Sequence, residues 1–204
     1  MCEIKFRAKN PQQKALRKQQ ILNAARKRIV SLSYEEVNLI HIAEDVGISK
    51  AALYRYFKNK ESLFLALFIE TLAEVITTAE QEFLAEKPAT ALTNTLLKNP
   101  IYCKLSAILH TILERNLSTD EAFKFKQTIL TQMQLYVALL SKKANMDDKK
   151  AFRILLQTQQ ALIGVWHMSH PTGAVKDVIE SATLSAFKMD FAEALRAHIE
   201  RIIE

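Results

Sequence analysis

A chain of 204 residues with only three glycines has little material for tight hairpins, because the two-residue turns that join antiparallel strands need φ > 0 and draw on Gly, Asn or Asp. Four prolines add few further breaks. Apolar residues recur instead at i, i+3, i+4 and i+7 through most of the sequence, the period of a helix with one buried face. The fold class predicted is all-α, with about nine helices. At 49% hydrophobic and 25% charged residues the chain can bury a proper core.

One of the three glycines, Gly47, lies inside the stretch from Ile42 to Phe57, IAEDVGISKAALYRYF. Ala43, Val46, Ile48 and Leu53 are the small or apolar residues that two short helices need to pack at a steep angle, and Gly47 sits where the turn between them falls. Ser49 then serves as N-cap of the second helix. Lys50, Ala51, Ala52, Tyr54, Arg55 and Tyr56 follow on a helix that Leu53 and Phe57, four apart, tie to the core. The spacing predicts a helix-turn-helix. Its outer side carries two cations, two phenols and two methyl groups, a set able to bond phosphates, donate to guanine edges and touch thymine methyls. A helical hairpin inside an ordinary bundle shows the same apolar spacing, so the pattern alone leaves both readings open.

Charge separates them. Residues 1–62 hold 13 Lys+Arg against 6 Asp+Glu, whereas residues 63–204 hold 15 against 16. The net charge of +6 therefore belongs to the amino-terminal part, and a polyanion partner for that part is the simple reading. An anionic membrane surface is the weaker one, since the apolar face of the first helix is required for the core.

In chain order, the first ten residues, with Lys5, Arg7 and Lys9, read as a basic arm. A helix from about Gln12 puts Ile21, Ala24, Ala25, Arg28, Ile29 and Leu32 at helical spacing, and Leu39, Ile42, Ala43 and Val46 give the second its stripe. Asn59 caps a fourth helix running from Lys60 to about Glu86. Lys60 stands at the positive end of that helix, where the dipole does not favour a cation; a phosphate placed there would be held by both the backbone N–H groups and the ammonium.

Beyond it, Pro88 and Asn99-Pro100 bracket a short helix, and Ile101 to Ile112 supply another. Ser118 to Glu121 and then Asp147 and Asp148 open two more, and the final helix is predicted from about Thr183, with Phe187, Phe191, Leu195 and His198 on its stripe. Cys2 and Cys103 form no framework, and no leader or apolar run of about 18 residues is read in the sequence, so a cytoplasmic protein is expected. Cys103 reads as a small buried hydrophobe.

With the residues through Leu63 in view, the chain resembles the TetR family of bacterial transcriptional regulators. The resemblance runs from Ile21 to about Leu63, and its most specific parts are IAEDVGIS, LYRYF and KNKESL. Upstream the chain departs: the family shows Gly-Tyr or Gly-Phe and then a Thr, where this chain has Ser33, Tyr34, Val37 and Asn38. Asn38 is then the residue left to cap the second helix. The resemblance implies a DNA-binding domain over 1–62 and a helical ligand-binding and dimerisation domain over 63–204. It also implies an obligate homodimer, with the last two long helices of each subunit in a four-helix bundle, on a palindromic double-stranded operator. A small-molecule effector would bind between the fourth helix and helices five to eight and release the DNA.

Residues expected at the DNA are Asn38, Ser49, Lys50, Ala51, Ala52, Tyr54, Arg55, Tyr56 and Lys60, the last matching the family lysine that touches the DNA backbone. Polar candidates for the effector site are His110, Glu114, Asn116, Tyr136, Trp166 and His167. Neither cofactor nor metal is expected, since His167 and His170 end beside Pro171 without a ligand set, and no catalytic constellation appears. The alternative is a helical dimer that acts through another protein, with DNA as scaffold or not bound.

Overall fold

The computed structural model describes residues 10–204; the basic stretch with Cys2, Lys5, Arg7 and Lys9 lies outside the described residues. Local capping sets most of the boundaries. Asn10 accepts the Gln13 N–H at 2.8 Å and Pro11 opens the first turn, so α1 runs Pro11–Ser31. Asn38 accepts the Ile40 N–H at 2.8 Å and starts α2, Leu39–Asp45. Gly47 turns the chain at φ +67°, and Ser49 accepts the Ala52 N–H at 3.2 Å to start α3, Lys50–Leu53.

This recognition segment is shorter as an α-helix than the sequence suggests. The Tyr54 and Phe57 amides still reach four residues back, but those of Arg55 and Tyr56 bond to Ala52 and Leu53, three back. The helix thus tightens in its last turn instead of running on regularly to Phe57.

Asn59 and Ser62 cap each other's backbone N–H groups to open α4, Lys60–Ala85. Prolines then start α5, Pro88–Leu97, and α6, Pro100–Ile108, which widens into a π-helical turn over Leu109–Leu113. Ser118 and Glu121 form a capping box for α7, Thr119–Ala144, which ends on Asn145 at φ 50°. Asp147 caps α8, Asp148–Ser169; α9, Gly173–Ile179, and a 3₁₀ turn over Ala182–Phe187 follow. Asp190 caps α10, Phe191–Ile203. The described residues therefore form ten α-helices, nine of them seven residues or longer.

Two expectations need correction. The final helix starts at Phe191 and not near Thr183, because Asp190 supplies the cap; Phe187 and His198, placed on its inner stripe, are exposed. And α4 does contain an 18-residue window of mean hydropathy 1.6, long and apolar enough by composition to cross a membrane. Its apolar residues face protein: Leu63, Phe64, Leu67, Phe68, Leu72, Val75, Ile76, Ala79 and Phe83 are all buried.

α4 packs on α1, α5, α6 and α7, while α10 covers α8 and α5. One cluster of buried apolar residues runs through both ends of the molecule, from Ile21 to Ile199. Polar staples reinforce it. Arg26 forks onto Glu74 at 2.7 and 2.8 Å, and Lys104 donates to the Ile29 and Leu32 carbonyls, 2.9 and 2.8 Å away, at the end of α1. Glu82, buried on α4, is met by Lys98 and Asn94. Cys103 is fully buried with its Sγ 3.2 Å from the Leu96 carbonyl, and burial pushes its thiol up to about 12, which makes it inert packing.

A Cβ built on Gly47 meets nothing within 4 Å, so replacement there costs only backbone strain. Gly47→Ala is expected to lower the unfolding free energy by about 1–2 kcal/mol in urea denaturation. A change below about 0.3 kcal/mol would mean that the turn relaxes to φ < 0.

Candidate nucleic-acid interface and inner cavity

Leu53 and Phe57 are buried and hold the recognition segment down. Lys50, Ala51, Tyr54 and Arg55 are exposed, and Ala52 and Tyr56 are half-buried at the edge. Lys50 Nζ lies 5.8 Å from the Tyr54 ring centre, and neither Lys50 nor Arg55 forms an ion pair among the described residues. Asn38 and Ser49 are exposed too, their side-chain oxygens engaged as caps.

Other cations hold this surface in place instead of facing outward. Arg17, buried, donates to the Val46 carbonyl at 3.0 Å. Arg28 grips Asp45 through two bonds of 2.6 and 2.8 Å and reaches the His41 carbonyl at 3.2 Å. The hydrogen bond from Arg28 holds the Asp45 carboxyl below its usual range. The middle and the carboxyl end of α2 are thereby fixed against α1.

Lys60 is the first residue of α4, half-buried. Its ammonium stands 4.2 Å above the Tyr34 ring centre and 3.4 Å from the Glu35 carbonyl, and burial lowers its pKa. Tyr34 in turn packs edge-on against Phe64, ring centres 5.2 Å apart. The ammonium is thus aimed before any anion arrives. Lys58, two residues earlier and passed over in the sequence, bonds Glu121 of α7 at 2.5 Å.

Behind this surface, α4, α6, α7 and α8 surround a half-open cavity of about 400 Å³, within the range of roughly 300–1,000 Å³ usual for small-molecule sites. Phe68 and Leu72 of α4, Tyr102 of α6, Ile129, Met133 and Tyr136 of α7, and Phe152, Leu155, Thr158 and Gln159 of α8 form its walls. Of the six residues singled out in the sequence, His110 and Tyr136 line it. Glu114 sits beside the mouth, accepting a bond from Lys126 at 2.6 Å and lying 3.1 Å from His110 Nδ1. Asn116 is exposed in the turn before α7.

Trp166 and His167 border a different space, an open groove of about 900 Å³ against the α1–α2 loop, where Trp166 stacks on His170 and His167 Nε2 lies 3.0 Å from the Ala107 carbonyl. Tyr102, Lys126, Thr158 and Gln159 were missed. Gln159 carried a usable signal, a polar amide on the apolar stripe of α8. Among the described residues no group of three His, Cys, Asp or Glu could hold a metal ion.

Comparison with known proteins agrees with this geometry. The family described as "Tetracyclin repressor-like, C-terminal domain" matches residues 64–204, and that described as "Bacterial regulatory proteins, tetR family" matches residues 21–67. The HTH-type transcriptional repressor AcnR of Corynebacterium diphtheriae is 35% identical over 72 residues, covering 35% of this chain and 38% of that protein. The fatty acid metabolism regulator protein of Bacillus subtilis is 33% identical over 70 residues, 34% of this chain and 36% of its own. These matches thus span little more than a third of those relatives' lengths. Two solved structures share the fold over nearly the whole chain. FadR from Bacillus halodurans has a TM-score of 0.59 at 18% identity, with 97% of each chain covered. FadR from Bacillus subtilis in complex with stearoyl-CoA has 0.51 at 17%, covering 91% of this chain and 97% of that one.

Lys60→Ala is expected to weaken binding to every DNA sequence and to reduce the slope of log K against log[salt] by about one, measured by fluorescence anisotropy. Arg55→Ala should also change the ranking of operator variants. An unchanged slope for Lys60→Ala would remove its phosphate role.

Proposed function

The chain belongs to the tetR family of bacterial regulatory proteins, DNA-binding transcriptional regulators and not enzymes, and from that premise we propose that it is a repressor released from a palindromic operator by a small molecule. In this reading residues 1–62 bind DNA, and residues 63–204 bind the effector and form the homodimer. Lys50, Tyr54, Arg55 and Tyr56 contact bases and phosphates, Ala51 and Ala52 allow close approach, and Asn38, Ser49 and Lys60 lie along the backbone. A dimer presents two such segments about 34–36 Å apart, which asks for half-sites one helical turn from each other.

The observation that carries this reading is that one helix serves both sites. α4 begins at Lys60, beside the recognition segment, and two to three turns later its Phe68 and Leu72 wall the cavity. A ligand that prefers a different tilt of α4 also shifts the DNA-reading surface, and it releases DNA only to the extent of that preference. The apolar lining supports an effector with a substantial hydrocarbon part. The stearoyl-CoA bound to FadR from Bacillus subtilis is a molecule of that kind.

Titration of a palindromic promoter fragment at about 150 mM salt, followed by footprinting, tests the reading: a dimer protecting two half-sites, about 10³-fold or more above non-specific affinity, is expected. Non-specific binding alone, or a strictly monomeric particle, would favour action through another protein. The Lys58–Glu121 pair gives a second expectation. Hydrogen bonds from Lys58 and then Ser118 pull the Glu121 carboxyl down to about 2, so this pair is complete above the ordinary carboxylate range and fades only as pH falls towards 2. Glu121→Gln frees Lys58 for phosphate and should steepen the salt slope by up to about one, equally at every pH between about 5 and 8.

A further inference from the structure

The cavity is apolar except along one wall, and that wall has hydrogen-bonding capacity the protein does not use. Tyr102 donates its hydroxyl to Gln159 Oε1 at 3.0 Å, and the Gln159 amide hydrogens find no partner among the described residues. The Thr158 hydroxyl, on a residue 5% exposed that lines the cavity, is buried without a hydrogen bond. Tyr136 lines the same space, with Tyr102 and, from outside the lining, Thr95 close to its hydroxyl. Buried polar groups in folded proteins are nearly always paired, so the unpaired Thr158 hydroxyl, beside a half-buried Gln159 amide with donors to spare on the same wall, leaves capacity for an occupant.

The wall carries no formal charge. Among the lining residues the one Lys or Arg is Lys126, exposed at the mouth beside His110 and already paired with Glu114. An ionised group pushed against the wall would lose its water and gain no counter-ion. A neutral oxygen would exchange water for donors already in place. Burial raises the Tyr102 and Tyr136 hydroxyls well above their ordinary pKa, so both stay protonated.

We propose that the cavity takes an uncharged, oxygen-bearing apolar molecule, its carbonyl or hydroxyl oxygen held by Gln159, Tyr136 and Thr158 and its hydrocarbon part against Phe68, Leu72 and Met133. This rests on the cavity being the effector site. At about 400 Å³, and taking a methylene as roughly the 30 Å³ share of a liquid water, the space holds about a dozen heavy atoms.

The test is calorimetric titration of the full chain, without DNA, with three ten-carbon probes: 2-decanone, 1-decanol and decanoate at pH 7. The ketone and the alcohol are expected to bind once per subunit, and decanoate at least about tenfold more weakly. Gln159→Leu should weaken the ketone about three- to tenfold, whereas Lys126→Ala should leave it within about twofold. Thr158→Val and Tyr136→Phe, near-isosteric, give the same reading should Gln159→Leu fold poorly. Decanoate binding as tightly as the ketone overturns the proposal, as does ketone affinity unmoved in all three wall variants, or no uptake at all, which would leave the wall to water. Operator binding is measured separately: ketone uptake without DNA release keeps this assignment and counts against the released repressor, and a specific operator complex with no uptake does the reverse.

Discussion

A helix of 26 residues is stiff along its whole length, and in this protein α4 is built into two sets of packing partners at once. At its amino end Leu63 and Phe64 are fully buried, with Tyr34 packed edge-on to Phe64; further along, Phe68 and Phe83 meet α6 and α7 through Tyr102, Phe125 and Tyr136. No linker separates the two ends. Phe68 and Lys60 therefore lie on one stiff element, because bending α4 sharply between them would break backbone hydrogen bonds. The capping box of Asn59 and Ser62 matters for the same reason: it keeps the first turn, and the lysine on it, part of the lever.

What the sequence disclosed follows how local each interaction is. Caps are legible because donor and acceptor lie two or three residues apart: Asn38, Ser49, Asn59, Ser118 and Asp147 all take the role their type suggests. The last helix was misplaced because Phe187 continues its apolar period, while the chain between Ala182 and Phe187 winds as a 3₁₀ turn and leaves that ring exposed. Charge was legible as a sum but not residue by residue. Arg17, Arg26 and Arg28 belong to the same basic segment as Lys50 and Arg55, yet their partners, Val46, Glu74 and Asp45, lie 17 to 48 residues away and cannot be read from spacing. The cationic charge left without a protein partner is accordingly smaller than the count of Lys and Arg over residues 1–62.

The cavity shows the same limit more strongly. Its wall combines Tyr102, Tyr136, Thr158 and Gln159 from three helices, and each alone looks like an occasional polar residue in a packed stripe. Trp166 and His167 look more chemical in the sequence, but they border the open groove at the α1–α2 loop.

Three polar staples cross between the amino-terminal helices and the rest: Arg26 to Glu74, Lys104 to the end of α1, and Lys58 to Glu121. Exposed ion pairs of this kind contribute about 0–1 kcal/mol each, whereas moving a coupled equilibrium far takes several times that. The staples are therefore too weak to fix by themselves how the amino-terminal helices sit on the rest. Lys104 differs from the other two: it sits two residues from Tyr102 on α6, half-buried, with its ammonium on carbonyls that no helical N–H can satisfy. α6 thus touches the cavity wall with one face and closes α1 with another. α4 and α6 are thus the two helices that border the cavity and also pack on α1.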